Sequence, residues 1–268
     1  MILAFIGKGG VGKTSISSSF ALELSNLGRT IIVSTDFMPS LRYIFSENDK
    51  VKFLELSEKE VARRWVDRYG EEVLSIIHEF INTDESVLQH ISTAPGVAEE
   101  FMISNLIEIE NSGDYDYVVW DTPASSSTMH LLNVERDFYN HLGRDIQYYL
   151  KLKERFGKSH ALEILNEWRD LANKVWNDLS KTSFFLITTP DELSLVQSEE
   201  ISKDFVKMGL QIRTRICNRV KNNLNDPVNC DIVIPEMQGK PREIAEKMRL
   251  EIRPKLHSII DGAKLQSN

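Results

Sequence analysis

The sequence predicts an α/β protein built on a doubly wound, mainly parallel sheet with an inserted helical subdomain. Three observations predict this fold. Short apolar runs alternate with longer amphipathic stretches, the runs are rich in β-branched residues, and a glycine-rich loop joins the first run to the first helical pattern. Strands that helices cover on both faces are apolar throughout, as these runs nearly are. The alternation indicates βαβ units, with ligand sites at the carboxyl ends of the strands.

The predicted elements follow one another along the whole chain. Capping signals occur at their ends, with Ser57 and Glu60 spaced as a capping box and Gly28 and Gly209 placed where helices end. We expect one domain over residues 1–268 with a helical insertion at about 126–180, and 58–111 is a further candidate for the insertion. The predicted strands are Ile2 to Ile6, Thr30 to Ser34, Val51 to Leu56, Tyr117 to Trp120, Phe184 to Thr188, Ile212 to Cys217 and Asp231 to Ile234, and the helical patterns lie at about 14–27, 58–80, 97–111, 126–180 with breaks, 192–207 and 241–262.

The glycine-rich loop is a complete phosphate-binding loop. Its glycines let the backbone wrap closely round an oxyanion, so that N–H groups and the helix N-terminus point at phosphates. Lys13 supplies a charge for the β- and γ-phosphates, and Thr14 an oxygen for Mg²⁺. A turn that binds nothing is the alternative, but strand, loop and helix stand in the order that the motif requires. The loop, which predicts binding of a nucleoside triphosphate, consists of Gly7, Lys8, Gly9, Gly10, Val11, Gly12, Lys13 and Thr14, followed by Ser15.

Two aspartates follow predicted strands and complete a candidate hydrolytic site. Asp121 fits a carboxylate that holds Mg²⁺ opposite Thr14, directly or through water. Asp36 fits a loop carboxylate that orients the attacking water, with deprotonation of that water and a place in the metal site as additional roles. Capping of the following helix is the alternative role of both aspartates.

Composition and charge exclude several other classes of protein. Forty acidic and thirty-two basic residues give a net charge of -8, which disfavours a protein that coats nucleic acid. The two cysteines, Cys217 and Cys230, support neither a disulfide framework nor a protein-only zinc site or four-cysteine iron–sulfur cluster. No apolar run reaches the roughly eighteen residues of a membrane span, and the start of the chain lacks a signal-peptide pattern. We therefore expect a soluble, cytoplasmic protein.

The whole octet GKGGVGKT resembles the deviant Walker A loop of a superfamily of dimeric ATPases that includes MinD and ParA. In that superfamily the early lysine, Lys8 here, reaches across the dimer interface to the partner's nucleotide. The resemblance implies an ATPase that binds ATP or ADP and forms a homodimer when ATP is bound. A solvated lysine is the alternative role of Lys8.

Within that superfamily, the sequence resembles the ArsA and tail-anchored-protein-targeting ATPases in motifs from residue 1 to about 240. The resemblance implies that Asn218 hydrogen-bonds the adenine edge and that the turn of Pro235, Glu236 and Met237 lines its other side. A turn asparagine after a strand is the alternative role of Asn218. The matching segments are Ser34-Thr35-Asp36 with Ser40-Leu41, Pro95-Gly96 with Glu99, Asp121-Thr122 with Thr128 and Leu131-Leu132, Thr189 to Leu193, and Ile216-Cys217-Asn218.

The sequence departs from the family pattern in both switch segments. Phe37-Met38-Pro39 stands where the family has Pro-Ala-His, and Ser125-Ser126-Ser127 stands where it has Thr-Gly-His. The family's metalloid-binding cysteines have no counterparts outside the two strand-associated positions, and its paired-cysteine zinc site at the dimer seam is missing. We therefore expect no arsenite sensing and a homodimer held by other contacts.

The resemblance also implies a hydrophobic client, such as the helix of a tail-anchored membrane protein, held in a groove of the helical insertion. Core packing is the alternative interpretation of the apolar faces found there. Two other functions remain open, a ParA- or MinD-like positioning ATPase acting on DNA or membrane, and a metabolic enzyme that uses the loop for phosphoryl transfer. One face comprises Trp168, Leu171, Ala172, Val175, Trp176 and Leu179, and a less regular stripe comprises Phe138, Leu142, Ile146, Tyr149 and Leu150.

Overall fold

Seven strands in the described part of the chain form one sheet, and every neighbouring pair is parallel. The computed structural model describes residues 1–38, 40–78, 84–94, 97–124, 160–221 and 230–264. The strand order is β3-β2-β4-β1-β5-β6-β7, so β1 lies at the centre. The prediction of a doubly wound, mainly parallel sheet is confirmed, with all seven predicted strands present. They are β1 (Ile2–Gly7), β2 (Thr30–Ser34), β3 (Lys52–Glu55), β4 (Tyr117–Asp121), β5 (Ser183–Thr188), β6 (Ile212–Val220) and β7 (Ile232–Pro235).

The helices of the described residues agree with most of the predicted ones. They are α1 (Lys13–Leu24), α2 (Glu58–His78), α3 (Ser86–Ser92), α4 (Val97–Asn111), α5 (His160–Ser180), α6 (Glu192–Lys207) and α7 (Pro241–Lys264). α3 was not predicted, because seven residues are too few to show a helical period. α5 matches the end of the predicted pattern at 126–180, and residues 126–159 of that pattern lie outside the described residues.

Local signals explain where two helices begin. Ahead of α2, the Glu60 N–H points at Ser57 Oγ at 3.4 Å, and the Ser57 N–H donates to Glu60 Oε2 at 2.9 Å, which confirms the predicted capping box. Asp191 precedes α6, and its Oδ1 accepts the N–H of Ser194 at 2.9 Å. No helix in the described part of the chain is long and apolar enough to cross a membrane.

The described residues divide into two compact units. The first, from Met1–Glu55, Glu108–Met129 and Ser180–Asn268, carries the sheet. Its core joins β1, α1 and β5 through Phe5, Phe20 and Phe185, whose ring centroids lie 4.8 to 5.2 Å apart. Aromatic rings prefer such spacings, and all three residues are fully buried. The strand before the phosphate-binding loop and the helix after it therefore share one rigid core.

α7 packs along α1 in the first unit. Met248, Ile252 and Leu256 belong to the same buried cluster as the apolar residues of α1. Glu23 of α1 accepts two hydrogen bonds from the guanidinium of Arg253, at 2.8 and 3.2 Å. Such paired contacts fix geometry as well as charge. The position of α1, which starts at the phosphate-binding loop, is thus stabilised by its contacts with α7.

The second unit, from Leu56–Ile107 and His130–Leu179, is helical in its described residues. Tyr69 packs edge-on against Phe101 and against Trp168, with ring centroids 6.1 Å apart in both pairs. The Trp168 indole N–H also donates to Glu72 Oε2 at 2.5 Å. On the predicted apolar face of α5, Val175 and Leu179 are buried and Trp168 is half-buried. That part of the face is already packed within the chain, as the alternative of core packing implies, and the second predicted stripe lies outside the described residues.

Cys217 on β6 and Cys230 just before β7 form a disulfide. The cysteine count did not support a disulfide framework, and this pair was not predicted. A separation of 13 residues does not reveal that β6 and β7 lie side by side. Since the chain has two cysteines, neither thiol is free.

Candidate nucleotide-binding site

The phosphate-binding loop leaves the carboxyl end of the central strand β1 and ends where α1 begins. Gly12 precedes the first residue of α1 and has φ 94°, a backbone conformation that residues with a side chain rarely adopt. A Cβ on Gly12 would also lie 2.4 Å from the Asn218 Nδ2 atom. A Cβ on Gly7 would lie 2.4 Å from the carbonyl oxygen of Ile187 on β5. The glycines predicted from the motif therefore let the loop pass close to the ends of β5 and β6.

Lys13 lies folded over the loop that precedes it. Its Nζ donates to the carbonyl oxygens of Gly7 at 3.1 Å and Lys8 at 3.2 Å. The side chain is buried, and burial lowers the pKa of Lys13, while the charges of Asp121 and Asp36 oppose that shift. A buried cation beside loop N–H groups is well placed for a phosphate, as the motif predicts.

Asp121 is fully buried at the end of β4 and receives two hydroxyl hydrogen bonds. Thr14 Oγ1 donates to its Oδ2 at 2.9 Å, and Ser17 Oγ donates to its Oδ1 at 3.1 Å. Burial raises the pKa of Asp121 to about 6, and the hydrogen bonds from Thr14 and Ser17 and the charge of Lys13 oppose this rise. The structure thus brings Thr14 and Asp121 together as predicted.

Ser17 was missed by the sequence analysis. It lies three residues after Thr14 on α1, so the two hydroxyls share one face of the helix and meet the same carboxylate. That spacing was the signal that could have identified Ser17.

Asp36 follows β2, and its charge acts on both Lys13 and Asp121: it raises the pKa of each. Asp36 therefore lies in the neighbourhood of both groups. Its Oδ1 accepts the N–H of Met38 at 3.0 Å. The preceding residue, Thr35, is tied to β4 by two bonds. Its N–H donates to the Asp121 carbonyl at 3.2 Å, and its hydroxyl accepts the indole N–H of Trp120 at 3.0 Å. These bonds hold the ends of β2 and β4 together directly before the two aspartates.

The charge of Lys8 acts on Asp191, the residue that precedes α6. The pKa of Asp191 is lowered by hydrogen bonds from the Thr189 hydroxyl and the Ser194 N–H, and further by the charge of Lys8. The Lys8 side chain is half-buried rather than fully solvated. Its predicted role across a dimer interface stays a prediction.

Asn218 lies two residues before the end of β6 and is buried, at 1% exposure. Its Nδ2 donates to the carbonyl of Val11 in the loop at 2.8 Å, and its Oδ1 accepts the N–H of Arg219 at 2.9 Å. The turn of Pro235, Glu236 and Met237 lies beside the same strand end, since the Glu236 N–H donates to the Val220 carbonyl at 3.2 Å. The structure therefore assembles these residues, and their contacts with adenine stay predictions.

The oxygen atoms of Thr14 and Asp121 fit a magnesium site that is completed by nucleotide phosphates. Mg²⁺ keeps several waters and takes one or two carboxylates together with substrate phosphates. Among the described residues, no group of three or more histidine, cysteine, aspartate or glutamate side chains suits a metal by itself. This donor set favours a metal that enters with the nucleotide.

Several residues of the predicted switch and loop motifs lie outside the described residues. They are Pro39 of the first switch, Pro95-Gly96, and Ser125-Ser126-Ser127, Thr128 and Leu131-Leu132 of the second switch. Thr122, at the start of the second switch, is described, and its hydroxyl donates to the Phe5 carbonyl at 2.7 Å.

Comparison with known proteins finds similarity to one family of ATPases. The sequence profile of the ArsA ATPase family, described as anion-transporting ATPases, matches residues 1–253. The chain is 31% identical over 245 residues to a protein of Aquifex aeolicus provisionally named arsenical pump-driving ATPase 2, covering 82% of this chain and 80% of that protein. It is 27% identical to ATPase ASNA1 homolog 1 of Paramecium tetraurelia, over 80% of this chain and 73% of the relative. It is 26% identical to ATPase GET3 of Mycosarcoma maydis, over 91% and 79%.

Proposed function

Because the chain belongs to the ArsA ATPase family and is therefore an ATPase, we propose that its hydrolysis of ATP requires Mg²⁺ and switches a homodimer that binds and releases a hydrophobic client. One observation carries the enzymatic part. Thr14 and Ser17 converge on the buried carboxylate of Asp121 at the mouth of the phosphate-binding loop, with the charges of Lys13 and Asp36 close by.

In this proposal, Thr14 and Asp121 hold the Mg²⁺ of the bound nucleotide. When bound, the metal ion neutralises charge on the β- and γ-phosphate oxygens. Asp121, whose pKa burial has raised to about 6, would hold the cation as an ionised carboxylate. The Thr14 hydroxyl would offer an oxygen lone pair to the cation and would keep its hydrogen bond to Asp121, since a hydroxyl has one donor and two lone pairs.

Asp36 orients the attacking water in line with the γ-phosphorus and accepts its proton. A bond forms from the water oxygen to phosphorus, the bond from phosphorus to the bridging oxygen breaks, and ADP and phosphate result. Lys13 and the N–H groups of the loop stabilise the charge on the phosphate oxygens. Asn218 and the Pro235 turn enclose the adenine.

The dimer part of the proposal rests on Lys8. The resemblance of the whole octet to the deviant Walker A loop supports a contact of this lysine with the partner's nucleotide, and within one chain its charge helps to lower the pKa of Asp191. A contact of Lys8 with a nucleotide phosphate across the interface would make dimerisation depend on ATP. The enzyme would act in the cytoplasm on a client helix of a tail-anchored membrane protein.

The state of the two cysteines favours a hydrophobic client over a metalloid ion as the ligand. A thiolate site for a soft ion needs free cysteines, and here Cys217 and Cys230 are joined. An apolar ligand makes no such demand. The helical unit, which overlaps the predicted insertions, is the part of the chain that we assign to the client.

The first experiment compares ATP hydrolysis by Asp36→Asn with that of Asp114→Asn, an exposed control of the same chemical change. We expect Asp36→Asn to bind Mg²⁺-ATP normally and turn over at least about a hundredfold more slowly. Asp114→Asn should match the wild type. Near-normal turnover of Asp36→Asn would remove this residue from the mechanism, and full turnover in excess EDTA would contradict the magnesium requirement.

The second experiment is light scattering of Asp36→Asn with Mg²⁺-ATP, alone and co-expressed with a protein that carries one C-terminal transmembrane helix. We expect an ATP-dependent dimer that retains the helix. A dimer that ignores the helix would contradict the client part and turn the search to DNA or lipid. Adding Lys8→Ala should abolish the dimer, whereas adding Lys50→Ala, a change at an exposed lysine, should not.

A further inference from the structure

We propose that Asn218 positions the phosphate-binding loop, so that it controls affinity for the phosphate groups of the nucleotide independently of any contact with the base. Both Asn218 and the loop belong to a single subunit, so this role does not depend on the homodimer or the client proposed above. It goes beyond the adenine contact that the family resemblance implies for Asn218.

The first support is the direct bond between Asn218 and the loop. Its side-chain amide donates to the Val11 carbonyl at 2.8 Å, across 207 residues of sequence and inside the protein. Val11 is itself buried, at 2% exposure. A buried carbonyl that loses its donor costs more free energy than a solvated one, so this bond restricts the path of the loop.

The second support is the close fit of Gly12 against the same side chain. Gly12 ends the loop and directly precedes α1, with φ 94°. The space that a Cβ would occupy on this residue is taken by Asn218 Nδ2, at 2.4 Å. Asn218 therefore both bonds to the loop and fills the space beside Gly12. The N–H groups at the start of α1 come directly after Gly12. Those N–H groups are the ones that face phosphates in such loops.

The third support is that Asn218 is itself held in place. The residue before it is bonded through the Cys217–Cys230 disulfide. The residue after it, Arg219, has φ 57°, which is uncommon for a residue with a side chain. Its N–H donates to Asn218 Oδ1 at 2.9 Å. A conformation of this kind persists where the surroundings impose it, and here it turns the backbone back onto the Asn218 side chain.

A base contact and a loop contact are compatible in one asparagine. The side-chain amide carries two N–H donors and an oxygen with two lone pairs, and the loop and Arg219 use one donor and one lone pair. The two roles are separated by a ligand that has phosphates and no base.

The test measures binding of Mg²⁺-ATP and of Mg²⁺ with inorganic tripolyphosphate by titration calorimetry. The variants are Asn218→Ala, and Asn218→Leu, which keeps most of the side-chain volume while removing the donor. Asn105→Ala is the control, because its side-chain amide donates to the Phe101 carbonyl at 2.7 Å in the helical unit. Circular dichroism and urea unfolding check that each protein is folded at the titration temperature.

We expect both Asn218 variants to bind tripolyphosphate about tenfold more weakly than the wild type, with at least as large a loss for ATP. Asn105→Ala should bind both ligands normally. Unchanged affinity for tripolyphosphate in a folded Asn218→Leu protein would overturn the proposal. If that variant also bound ATP more weakly, Asn218 would be left with the base contact only.

Discussion

Replacing Asp121 with asparagine should stabilise the metal-free protein at neutral pH, even though this residue is central to the proposed reaction. The carboxyl is fully buried, and burial raises its pKa from an ordinary value of 3.8 to about 6. The folded state therefore favours the protonated acid relative to the unfolded state. A buried carboxylate near neutral pH is then a cost to stability, and a neutral amide avoids that cost.

The sign and size follow from linkage. Because the folded pKa is the higher one, the stabilising effect of Asp121 is fully present below pH 4 and is lost as the pH rises through 6. The full difference corresponds to ~3 kcal/mol above pH 7, and about half of this is already lost at pH 5. We expect Asp121→Asn to exceed the wild type in free energy of unfolding by up to ~3 kcal/mol at pH 7.5 and by about half as much at pH 5.

The assay is urea unfolding in EDTA at both pH values, with Asp116→Asn as the control. Asp116 is exposed, and hydrogen bonds from Arg29 lower its pKa, so its replacement should act in the opposite direction. The same Asp121→Asn protein should lose the proposed Mg²⁺-dependent ATP hydrolysis. A variant that is less stable than the wild type at pH 7.5, or a gain that is identical at the two pH values, would refute the reasoning.

Three further changes have defined expectations. Gly12→Ala should abolish ATP binding, as measured by calorimetry, because φ 94° and the nearby Asn218 amide both oppose a Cβ. Gly113→Ala is the control, since Gly113 has φ 72° but open space around it, and it should only lower the free energy of unfolding in urea by about 1 kcal/mol. Reducing the Cys217–Cys230 disulfide should lower the free energy of unfolding by about 3 kcal/mol, and a Cys217→Ser, Cys230→Ser double variant should not respond to the reductant. Trp120→Phe removes the hydrogen bond from the indole to Thr35 and should lower the free energy of unfolding by about 1–3 kcal/mol and slow ATP hydrolysis. Equal rates of ATP hydrolysis in Trp120→Phe and in a Trp65→Phe control would contradict a link between this bond and ATP hydrolysis.

The sequence predicted the sheet and the phosphate-binding loop because both have strong local signals. Runs such as Ile2 to Ile6 are apolar throughout, and the loop octet has fixed residue types at fixed positions. Asp121 was found for the same reason, since it ends such a run. Each of these features is encoded within a few neighbouring residues.

Features that depend on contacts between distant residues were not predicted. The bond from Asn218 to Val11 spans 207 residues, and no local pattern shows which carbonyl a buried amide will reach. The disulfide was missed because its existence depends on β6 lying beside β7. The helix α7 continues through Pro254, as the predicted helical pattern at 241–262 does, and its packing against α1 outweighs the missing N–H donor.

The central position of β1 has a consequence for how the protein is made. This strand is synthesised before both of its neighbours, β4 and β5, with Ile2 opposite Val118 and Leu3 opposite Ser183. Its apolar residues therefore lack their second neighbouring strand until translation has passed residue 188, and an inner strand needs neighbours on both sides. We expect the nascent chain to depend on chaperones through most of its synthesis, and ribosome-bound chains that end before β5 to bind no nucleotide.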